Sequence, residues 1–370
     1  MLTETVALVA EKLNGPFKFQ TVLIDEPRAD EAWVEIQAVG ICHAELSCLN
    51  GTIPVKFPNV FGHEGAGVVR KIGRDVQGFQ PGDKVLTSYN HCGSCIQCRS
   101  RHPAYCMTMF QQNFGGTRGD GSVPMRTSDG STLYSNYFGQ SAFSRLAVVN
   151  VRSMVKVPSQ TTLEVMAPLG CGMQTGAGAI FNTLNVPEGA TVAIFGIGAV
   201  GASSIMAAKI RKASIIIAVD VIESRLNKAK TLGATHSFLS SFEVVDQIRA
   251  TCQPNDGVEY AVDASGVTSV IEQMVDSLAT RGRATSIGVP GPGKRAGVEV
   301  VAHVNKGREY VGCNQGDCIA REIIPYLIEQ HSLGNYPFDE LIKQYDIKDF
   351  ETALEDMKSG VTIKPVLKWM

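Results

Sequence analysis

The sequence has almost no excess of charge of either sign, because its 370 residues include 34 lysines and arginines against 36 aspartates and glutamates. It also has no polybasic run, so nucleic acids and anionic membranes are not expected as partners. The first residues carry acids where a secretory signal needs bases, and no long apolar core precedes a small-residue cleavage site. We therefore expect a cytoplasmic protein.

Long hydrophobic runs are scarce as well. One uncharged stretch, 190–208, has the length of a membrane helix, but glycines and serines interrupt it. A strand, a tight turn and a helix fit this stretch better than a membrane span does. The apolar fraction of 44% and the length together predict a globular chain with two domains.

Two patterns divide the chain. Residues 1–155 contain short β-rich runs with irregular connections, at 5–10, 31–39, 65–72 and 83–88. After Pro187, strands alternate with helices of about 10 to 15 residues, which predicts a parallel sheet covered on both faces. This architecture is typical of nucleotide binding. The glycine-rich segment 110–137 contains several aromatics and is too long for a plain connector, so we predict a functional loop there.

A complete dinucleotide-binding motif follows the first strand of the alternating part. The glycines of this G-x-G-x-x-G motif are Gly196, Gly198 and Gly201. The first glycine would allow a tight turn, and the second would let backbone N–H groups approach a pyrophosphate. The third would let the helix pack closely on the strand. Asp220 ends the next strand and favours NAD over NADP, because a 2′-phosphate would meet its like charge. Two further residues are assigned to the cofactor site: Val200, within the motif, and Arg225, which could flank the adenosine.

Ten cysteines in a chain without a secretion signal indicate metal ligation or catalysis before disulfides. Four of them fall within 15 residues: Cys92, Cys95, Cys98 and Cys106. Such a cluster can enclose one tetrahedral ion and leaves no open position for a substrate, so we predict a structural zinc site. An iron–sulfur cluster is the alternative, although the Cys-Pro that closes the bacterial ferredoxin pattern is absent.

A second group of motifs is spread over the whole chain. It comprises GHE at 62–64 followed by Gly67, Gly73 and Val76, GICHAE around Cys42, and LGCGMQTG around Cys171. Together with the cysteine cluster and GIGAVG, these motifs resemble those of the zinc-containing medium-chain alcohol dehydrogenases. The continuation of the cysteine lobe through 138–143 into 146–149 is most similar to aryl and benzyl alcohol dehydrogenases. The resemblance implies an α/β fold with a GroES-like, β-rich catalytic domain (1–171 and 310–370) and a doubly wound, parallel-sheet Rossmann domain (172–309).

The resemblance also implies a catalytic zinc ion bound by Cys42, His63 and Cys171, the ligand set known for alcohol dehydrogenase, with a fourth position left for water or substrate. Glu45 stands where the family usually has an Asp that orients the histidine ligand. Glu64 could approach the metal during ligand exchange, or it could be a buried carboxylate satisfied by a basic residue.

Further cofactor contacts are implied in the same way. His43 and Lys364 match positions at the pyrophosphate, and Thr175 and Val289 match positions beside the nicotinamide. The expected cofactors are therefore two zinc ions per chain and NAD. Because relatives pair the sheet edges of their nucleotide domains, the resemblance also implies a homodimer or homotetramer, with residues 308–313 as the edge strand.

One position departs from the family pattern. Family members generally have Ser or Thr two residues after the first cysteine ligand, and that hydroxyl passes the alcohol proton towards solvent; this chain has Ala44. We expect a zinc-dependent oxidoreductase that transfers a hydride between NAD(H) and an alcohol/carbonyl pair, with an aromatic or bulky apolar substrate favoured. The alternatives are an NAD(P)H-dependent reductase of a conjugated C=C or imine, and a non-catalytic zinc- and nucleotide-binding homologue. No chemistry is assigned to four cysteines: Cys48, Cys252, Cys313 and Cys318.

Overall fold

The computed structural model describes residues 2–369, which divide into two compact units. The first unit comprises the described residues up to Cys171, then Ile319–Ile328, and those from Leu341 onwards. The second comprises Gly172–Cys318 and Glu329–Glu340. The return to the first domain was expected at residue 310. The structure keeps 310–318 in the second unit, because residues 309–312 form a strand of that unit's sheet.

The described residues form eighteen strands. They are β1 (Leu2–Ala10), β2 (Phe17–Asp25), β3 (Glu31–Gly40), β4 (Asn59–Val60), β5 (Glu64–Ile72), β6 (Lys84–Thr87), β7 (Met125–Thr127), β8 (Thr132–Leu133), β9 (Leu146–Asn150), β10 (Met154–Lys156), β11 (Thr191–Phe195), β12 (Ile215–Asp220), β13 (His236–Leu239), β14 (Val258–Asp263), β15 (Leu278–Ser286), β16 (Glu309–Gly312), β17 (Ile342–Asp346) and β18 (Lys364–Lys368).

The described residues also form twelve α-helices. They are α1 (His43–Leu49), α2 (Ile96–Arg99), α3 (Met109–Phe114), α4 (Leu163–Met166), α5 (Gly172–Gly178), α6 (Ala199–Ile210), α7 (Glu223–Leu232), α8 (Val244–Thr251), α9 (Thr268–Asp276), α10 (Val300–Lys306), α11 (Ala320–Ser332) and α12 (Phe350–Lys358). None of the helices between residues 2 and 369 is long and apolar enough to cross a membrane.

Two sheets build the first unit. One has the order β4-β1-β2-β7-β8, and the other has the order β10-β6-β5-β3-β18-β17, with β9 also paired to β3. Apolar side chains of both sheets share one core, to which Phe61, Phe143 and Phe350 from outside the strands also belong. The four β-rich runs predicted for this part are β1, β3, β5 and β6, whereas β2 was not predicted. The segment predicted as a functional loop forms α3, β7 and β8.

Strand pairing in the first unit brings distant segments together. The antiparallel pair β3·β5 sets Gly40 opposite Glu64, and the antiparallel pair β18·β3 sets Val366 opposite Gly40. Three chain segments that lie far apart in sequence, around residues 40, 64 and 366, therefore meet at one end of the sheet. The backbone N–H of Ile41 also donates to the carbonyl of Pro365 at 3.0 Å, which fixes the chain just before α1.

The second unit is organised around one parallel sheet. Its order is β13-β12-β11-β14-β15-β16, with every pair parallel. All five residues of β11 are buried, as expected for a strand covered on both faces. The strand order reverses between β11 and β14, and ligands of doubly wound sheets bind where such a reversal leaves a crevice at the carboxyl ends. The predicted doubly wound sheet is confirmed, and the uncharged stretch 190–208 is β11, a turn and most of α6.

Candidate metal centres and active site

The four clustered cysteines converge around α2. The Sγ of Cys98 lies 3.5 Å from that of Cys95 and 3.9 Å from that of Cys92, and all four sulfurs lie within 4.8 Å of one another. Backbone donors surround them: the N–H of Cys95 donates to Cys92 Sγ, and the N–H of Cys92 donates to Cys106 Sγ, each at 3.3 Å. The structure therefore gathers the predicted sulfurs at a spacing that suits one tetrahedral ion.

The electrostatics of this cluster favour thiolates on the first two cysteines. Burial on its own would raise the pKa of Cys92, but hydrogen bonds from the backbone of Ser94 and Cys95 lower it to about 5. A backbone hydrogen bond from Met107 lowers the pKa of Cys95. Burial and the Cys95 sulfur raise the pKa of Cys98 to about 12. Because metals bind thiolates, the lowered pKa values of Cys92 and Cys95 favour metal binding at this cluster.

The second group of ligands comes from three separate segments. Cys42 immediately precedes α1, His63 immediately precedes β5, and Cys171 immediately precedes α5. A ring nitrogen of His63, a carboxylate oxygen of Glu64 and the sulfurs of Cys42 and Cys171 all lie within 4.8 Å of one another. The structure thus brings together the three residues that the motifs implied as zinc ligands.

Glu45 connects two of these ligands. Its Oε2 accepts a hydrogen bond from the backbone N–H of Cys42 at 2.9 Å, and its Oε1 lies 2.5 Å from Nδ1 of His63. Burial on its own would lower the pKa of His63, but the charge of Glu45 and the neighbouring Cys42 sulfur raise it to about 10. Because Nδ1 faces the Glu45 carboxylate, the geometry leaves Nε2 as the nitrogen that can bind a metal. That Nε2 atom is buried without a hydrogen-bond partner among the described residues.

A hydrogen bond connects the two cysteine sulfurs of this group. A hydrogen bond from Cys171 lowers the pKa of Cys42 well below its usual value, although burial opposes the shift. The same hydrogen bond raises the pKa of Cys171, and burial adds to the effect. Two converging sulfurs and a buried imidazole nitrogen without a hydrogen-bond partner among the described residues form a donor set that fits zinc.

Lys364, which the family resemblance assigned to the pyrophosphate, has a side chain that is only 2% exposed. Its ammonium donates to Glu64 at 2.7 Å and to the carbonyl of Ile41 at 3.0 Å. The physical reason is that a carboxylate buried as deeply as Glu64 needs a partner charge. Burial raises the pKa of Glu64 to about 7 against the opposing charge of Lys364. Glu64 is thus a buried carboxylate paired with a base, and it also lies beside the candidate metal ligands.

Two residues beside His63 were not found from the sequence. The ring of Phe138 stacks on the imidazole with centroids 4.2 Å apart and planes 23° apart, and Tyr137 meets the same ring edge-on at 5.5 Å. Phe138 adopts a left-handed backbone with φ of 53°, which places its ring in this position. A positive φ on an aromatic residue has no signal in a single sequence, so only the structure could show this contact.

The glycine-rich turn lies at the carboxyl end of β11. Gly196 has φ of +87°, and a Cβ on Gly201 would lie 1.9 Å from the carbonyl oxygen of Gly196. A Cβ on Gly198, the residue before α6, would meet nothing within 4 Å. The space next to the Cα of Gly198 is therefore open. Because Gly201 has no side chain, α6 can pack closely against the turn.

Asp220 supports this turn from the end of β12. Its Oδ2 accepts from the N–H of Ile197 at 2.5 Å, and its Oδ1 accepts from the N–H of Ile222 at 2.9 Å. Arg225 lies 3.9 Å from the same carboxylate. Asp263 holds the turn after the neighbouring strand β14 through Ser265, a contact that the motif did not predict.

The other predicted cofactor residues lie at separate places. His43 is exposed at the start of α1, and Val289 is exposed after β15. Thr175 lies in α5 with a buried hydroxyl that has no hydrogen-bond partner among residues 2–369. Val200 is half-buried in the first turn of α6. His43 and Lys364 belong to the first unit, and the other predicted cofactor residues belong to the second.

Two known families match separate parts of this chain. Residues 28–159 match the family described as alcohol dehydrogenase GroES-like domain, and residues 199–330 match the family described as zinc-binding dehydrogenase. The geraniol dehydrogenase of Castellaniella defragrans is 34% identical over 363 residues, which cover 98% of this chain and 96% of that protein.

Solved structures give a similar result. A crystal structure of an alcohol dehydrogenase zinc-binding domain protein from Burkholderia ambifaria is 40% identical, with a TM-score of 0.97 and coverage of 100% of this chain and 99% of the other. Benzyl alcohol dehydrogenase from Acinetobacter calcoaceticus is 36% identical, with a TM-score of 0.96 and full coverage of both chains.

Proposed function

The chain belongs to the zinc-dependent alcohol dehydrogenases of the medium-chain dehydrogenase/reductase family. We propose that it transfers a hydride between NAD(H) and an alcohol/carbonyl pair. The alcohol that we propose as substrate is aromatic, or bulky and apolar. The resemblance inferred from the motifs and the GroES-like plus Rossmann fold class are confirmed. The observation that carries the proposal is the buried convergence of Cys42, His63 and Cys171.

The residues around this convergence have distinct roles. Zinc held by Cys42, His63 and Cys171 would polarise the substrate oxygen, and a bound nicotinamide would accept or supply the hydride. Glu45 holds the proton on Nδ1 of His63 and keeps the ring oriented. Lys364 neutralises Glu64, so that the buried carboxylate does not add an unpaired negative charge beside the two sulfurs.

NAD is the proposed nucleotide because of Asp220. Its carboxylate lies at the carboxyl end of β12, fixed by two backbone N–H groups, where a 2′-phosphate would meet a negative charge. The turn at Gly196 and the open space above Gly198 suit a pyrophosphate at the amino end of α6.

An aromatic path supports the substrate class. The exposed ring of Phe110 lies 5.4 Å from that of Phe114, which lies 5.1 Å from the ring of Phe138 on the imidazole of His63. Phe110 is 53% exposed, so the path runs from the surface of the first unit to a proposed zinc ligand. Aromatic and bulky apolar substrates gain most from contact with aromatic rings.

A screen of NAD reduction tests this proposal. Purified protein is given NAD or NADP with matched sets of aryl, branched aliphatic and polyol alcohols, and NADH formation is followed by absorbance. We expect the highest kcat/KM with NAD and a benzyl-type alcohol. Turnover confined to polyols, or a preference for NADP, would refute the corresponding part of the proposal.

Ala44 favours a second candidate function. A methyl group cannot carry a proton, so the relay usual in the family is absent at this position of α1. A reductase that delivers hydride to a conjugated C=C or to an imine would not need that relay. If the enzyme oxidises alcohols, Ala44→Thr should accelerate benzyl-type oxidation by about 10²-fold. No gain, together with NADH oxidation by an unsaturated substrate that lacks an alcohol, would favour the reductase.

We also propose that the protein is a homodimer or homotetramer paired through the second unit. Strand β16 lies at the edge of its sheet. Helix α10, which precedes β16 in the chain, has no buried residue. Val304 of α10 is 69% exposed, and Val300 and Val301 are exposed beside it. Light scattering after size-exclusion chromatography should give a multiple of 39.7 kDa. Val304→Asp should shift that mass towards one chain, and a monomeric wild type would refute the proposal.

A further inference from the structure

The side-chain amide of Gln140 is fully buried beside the proposed catalytic zinc ligands without being one of them. Its Nε2 donates to the backbone carbonyl of His63 at 3.0 Å and to that of Ser88 at 2.9 Å. Its Oε1 accepts from the backbone N–H of Gly65 at 3.3 Å and from the hydroxyl of Thr87. One amide therefore connects the segment that carries His63 to the segment that follows β6.

The second segment leads directly to another ligand. The hydroxyl of Ser88 donates to the carbonyl of Gly170 at 2.7 Å, and Gly170 immediately precedes Cys171. The oxygen of the same Thr87 hydroxyl lies 3.0 Å from the carbonyl oxygen of Gly65, so this group is in contact with the His63 segment as well. A continuous hydrogen-bonded path thus runs from His63 through Gln140 and Ser88 to the residue before Cys171.

Packing leaves this path little room to shift. A Cβ on Gly170 would lie 2.1 Å from the carbonyl oxygen of Thr87, and a Cβ on Gly65 would lie 2.7 Å from the Cβ of Ala142. The backbones that the amide joins are therefore already in close contact. A change in the amide would move the ligand-bearing segments, because close-packed interiors transmit strain and do not absorb it.

We propose that Gln140 is a positioning residue that sets the separation of His63 and Cys171 and thereby the retention of zinc at the catalytic site. The inference depends on the proposed function only in that zinc binds between Cys42, His63 and Cys171. Phe138, two residues earlier, stacks on the imidazole, so one short segment fixes both the ring and the backbone of His63.

The amide is the group that this position requires. It donates two hydrogen bonds to carbonyls and accepts two from donors, all inside the protein. A carboxylate of the same size would place an acceptor against two carbonyl oxygens, and a thioether would satisfy none of the four groups. Gln140→Met therefore keeps the volume of the side chain and removes its connections.

Zinc release to an excess of chelator, followed with a colorimetric indicator, tests the proposal without using activity. The zinc of the Cys92–Cys106 cluster is the internal reference, and His63→Ala identifies the release phase that belongs to that cluster. Ser144→Ala is the matched control, because it removes a buried hydrogen bond from the same segment that reaches neither ligand. We expect Gln140→Met to release the catalytic zinc about 10- to 100-fold faster than wild type, with the reference phase unchanged.

Two results would overturn the proposal: release from Gln140→Met at the wild-type rate, or equal acceleration of both phases, which indicates general loosening. If Gln140→Met does not fold, Ser88→Ala interrupts the same path at its next link, and there an unchanged ratio of the two rates overturns the proposal. A wild type that binds zinc only at the cysteine cluster would overturn both this inference and the proposed function. If Gln140→Met loses only the catalytic zinc faster, but the wild type oxidises no alcohol, the proposed function is refuted and this inference stands.

Discussion

The two candidate metal centres are built in opposite ways. The cysteine cluster takes its ligands from residues 92–106, three of them half-buried, and surrounds them with backbone N–H groups of the same stretch. The dispersed centre takes Cys42, His63 and Cys171 from three segments and surrounds them with buried side chains. The first centre needs little more than its own loop, whereas the second needs the whole first unit in place.

This difference indicates what each centre can do. Four sulfurs saturate a tetrahedral ion, which stabilises a loop but leaves no position for a substrate. Three ligands leave one position, and the buried groups around them control the charge and orientation of each ligand. We therefore expect substitutions at the dispersed centre to affect activity and those at the cluster to affect stability.

The largest expected effect is on the dispersed centre. His63→Ala removes the one nitrogen ligand, so we expect kcat/KM to fall by roughly 10³-fold or more, because the polarisation supplied by a metal accounts for several kcal/mol. Zinc content measured by mass spectrometry should fall from two ions per chain to one. His236→Ala, at an exposed position of β13, is the control and should change neither value. A variant with normal zinc content would show that His63 is not a ligand.

The cysteine cluster should respond in stability. Cys98→Ser should remove the other metal ion and lower the melting temperature by more than about 5 °C, because a structural metal contributes its binding free energy to folding. Cys252→Ala removes a buried thiol outside both centres and should keep both zinc ions. Iron in the wild-type protein would support the iron–sulfur alternative, and an unchanged melting temperature would contradict a structural role.

A smaller effect is expected at Glu45. Glu45→Gln keeps the shape of the side chain but weakens its contact with Nδ1 of His63, so zinc affinity at the dispersed centre should fall about 10- to 100-fold. Competition with a chelator measures this change. Glu45→Asp restores the family's usual residue and should retain more affinity than Glu45→Gln. Equal losses in the two variants would mean that the carboxylate does not act through its charge.

The smallest effect is expected at the edge of the cluster. The exposed hydroxyl of Ser94 lies 3.7 Å from the Sγ of Cys92, which also receives the backbone N–H of Cys95. Ser94→Ala should therefore change the free energy of unfolding by no more than about 0.5 kcal/mol. Loss of the cluster's metal in this variant would show that side chains, and not the local backbone, hold that site together.

The two centres also differ in how far the sequence predicted them. The spacing of Cys92 to Cys106 was sufficient for the cluster because its ligands lie within 15 residues. The turn after β11 was predictable because the glycine motif and the acid that ends the next strand form a known pattern. The dispersed ligands could be identified only through a family resemblance, since strand pairing across the sheet brings them together.

Most side-chain partners around the dispersed centre could not be predicted, although Glu45 was expected beside His63. Lys364 and Glu64 are 300 residues apart in sequence, and their ion pair follows from the pairing of β18 and β5 with β3. Gln140 is one of many polar residues in an irregular segment, and nothing in its neighbours shows that its amide is buried. Such contacts depend on tertiary packing, which has no short-range pattern.

The most direct test of this account is an anomalous difference map, recorded at the zinc absorption edge from crystals of the wild-type protein. The account predicts two peaks per chain. One should be surrounded by four sulfurs, and the other should lie about 2.0 to 2.3 Å from Cys42, His63 and Cys171 with no fourth protein ligand. A map without the second peak, or one in which Glu64 permanently binds that metal, would contradict it.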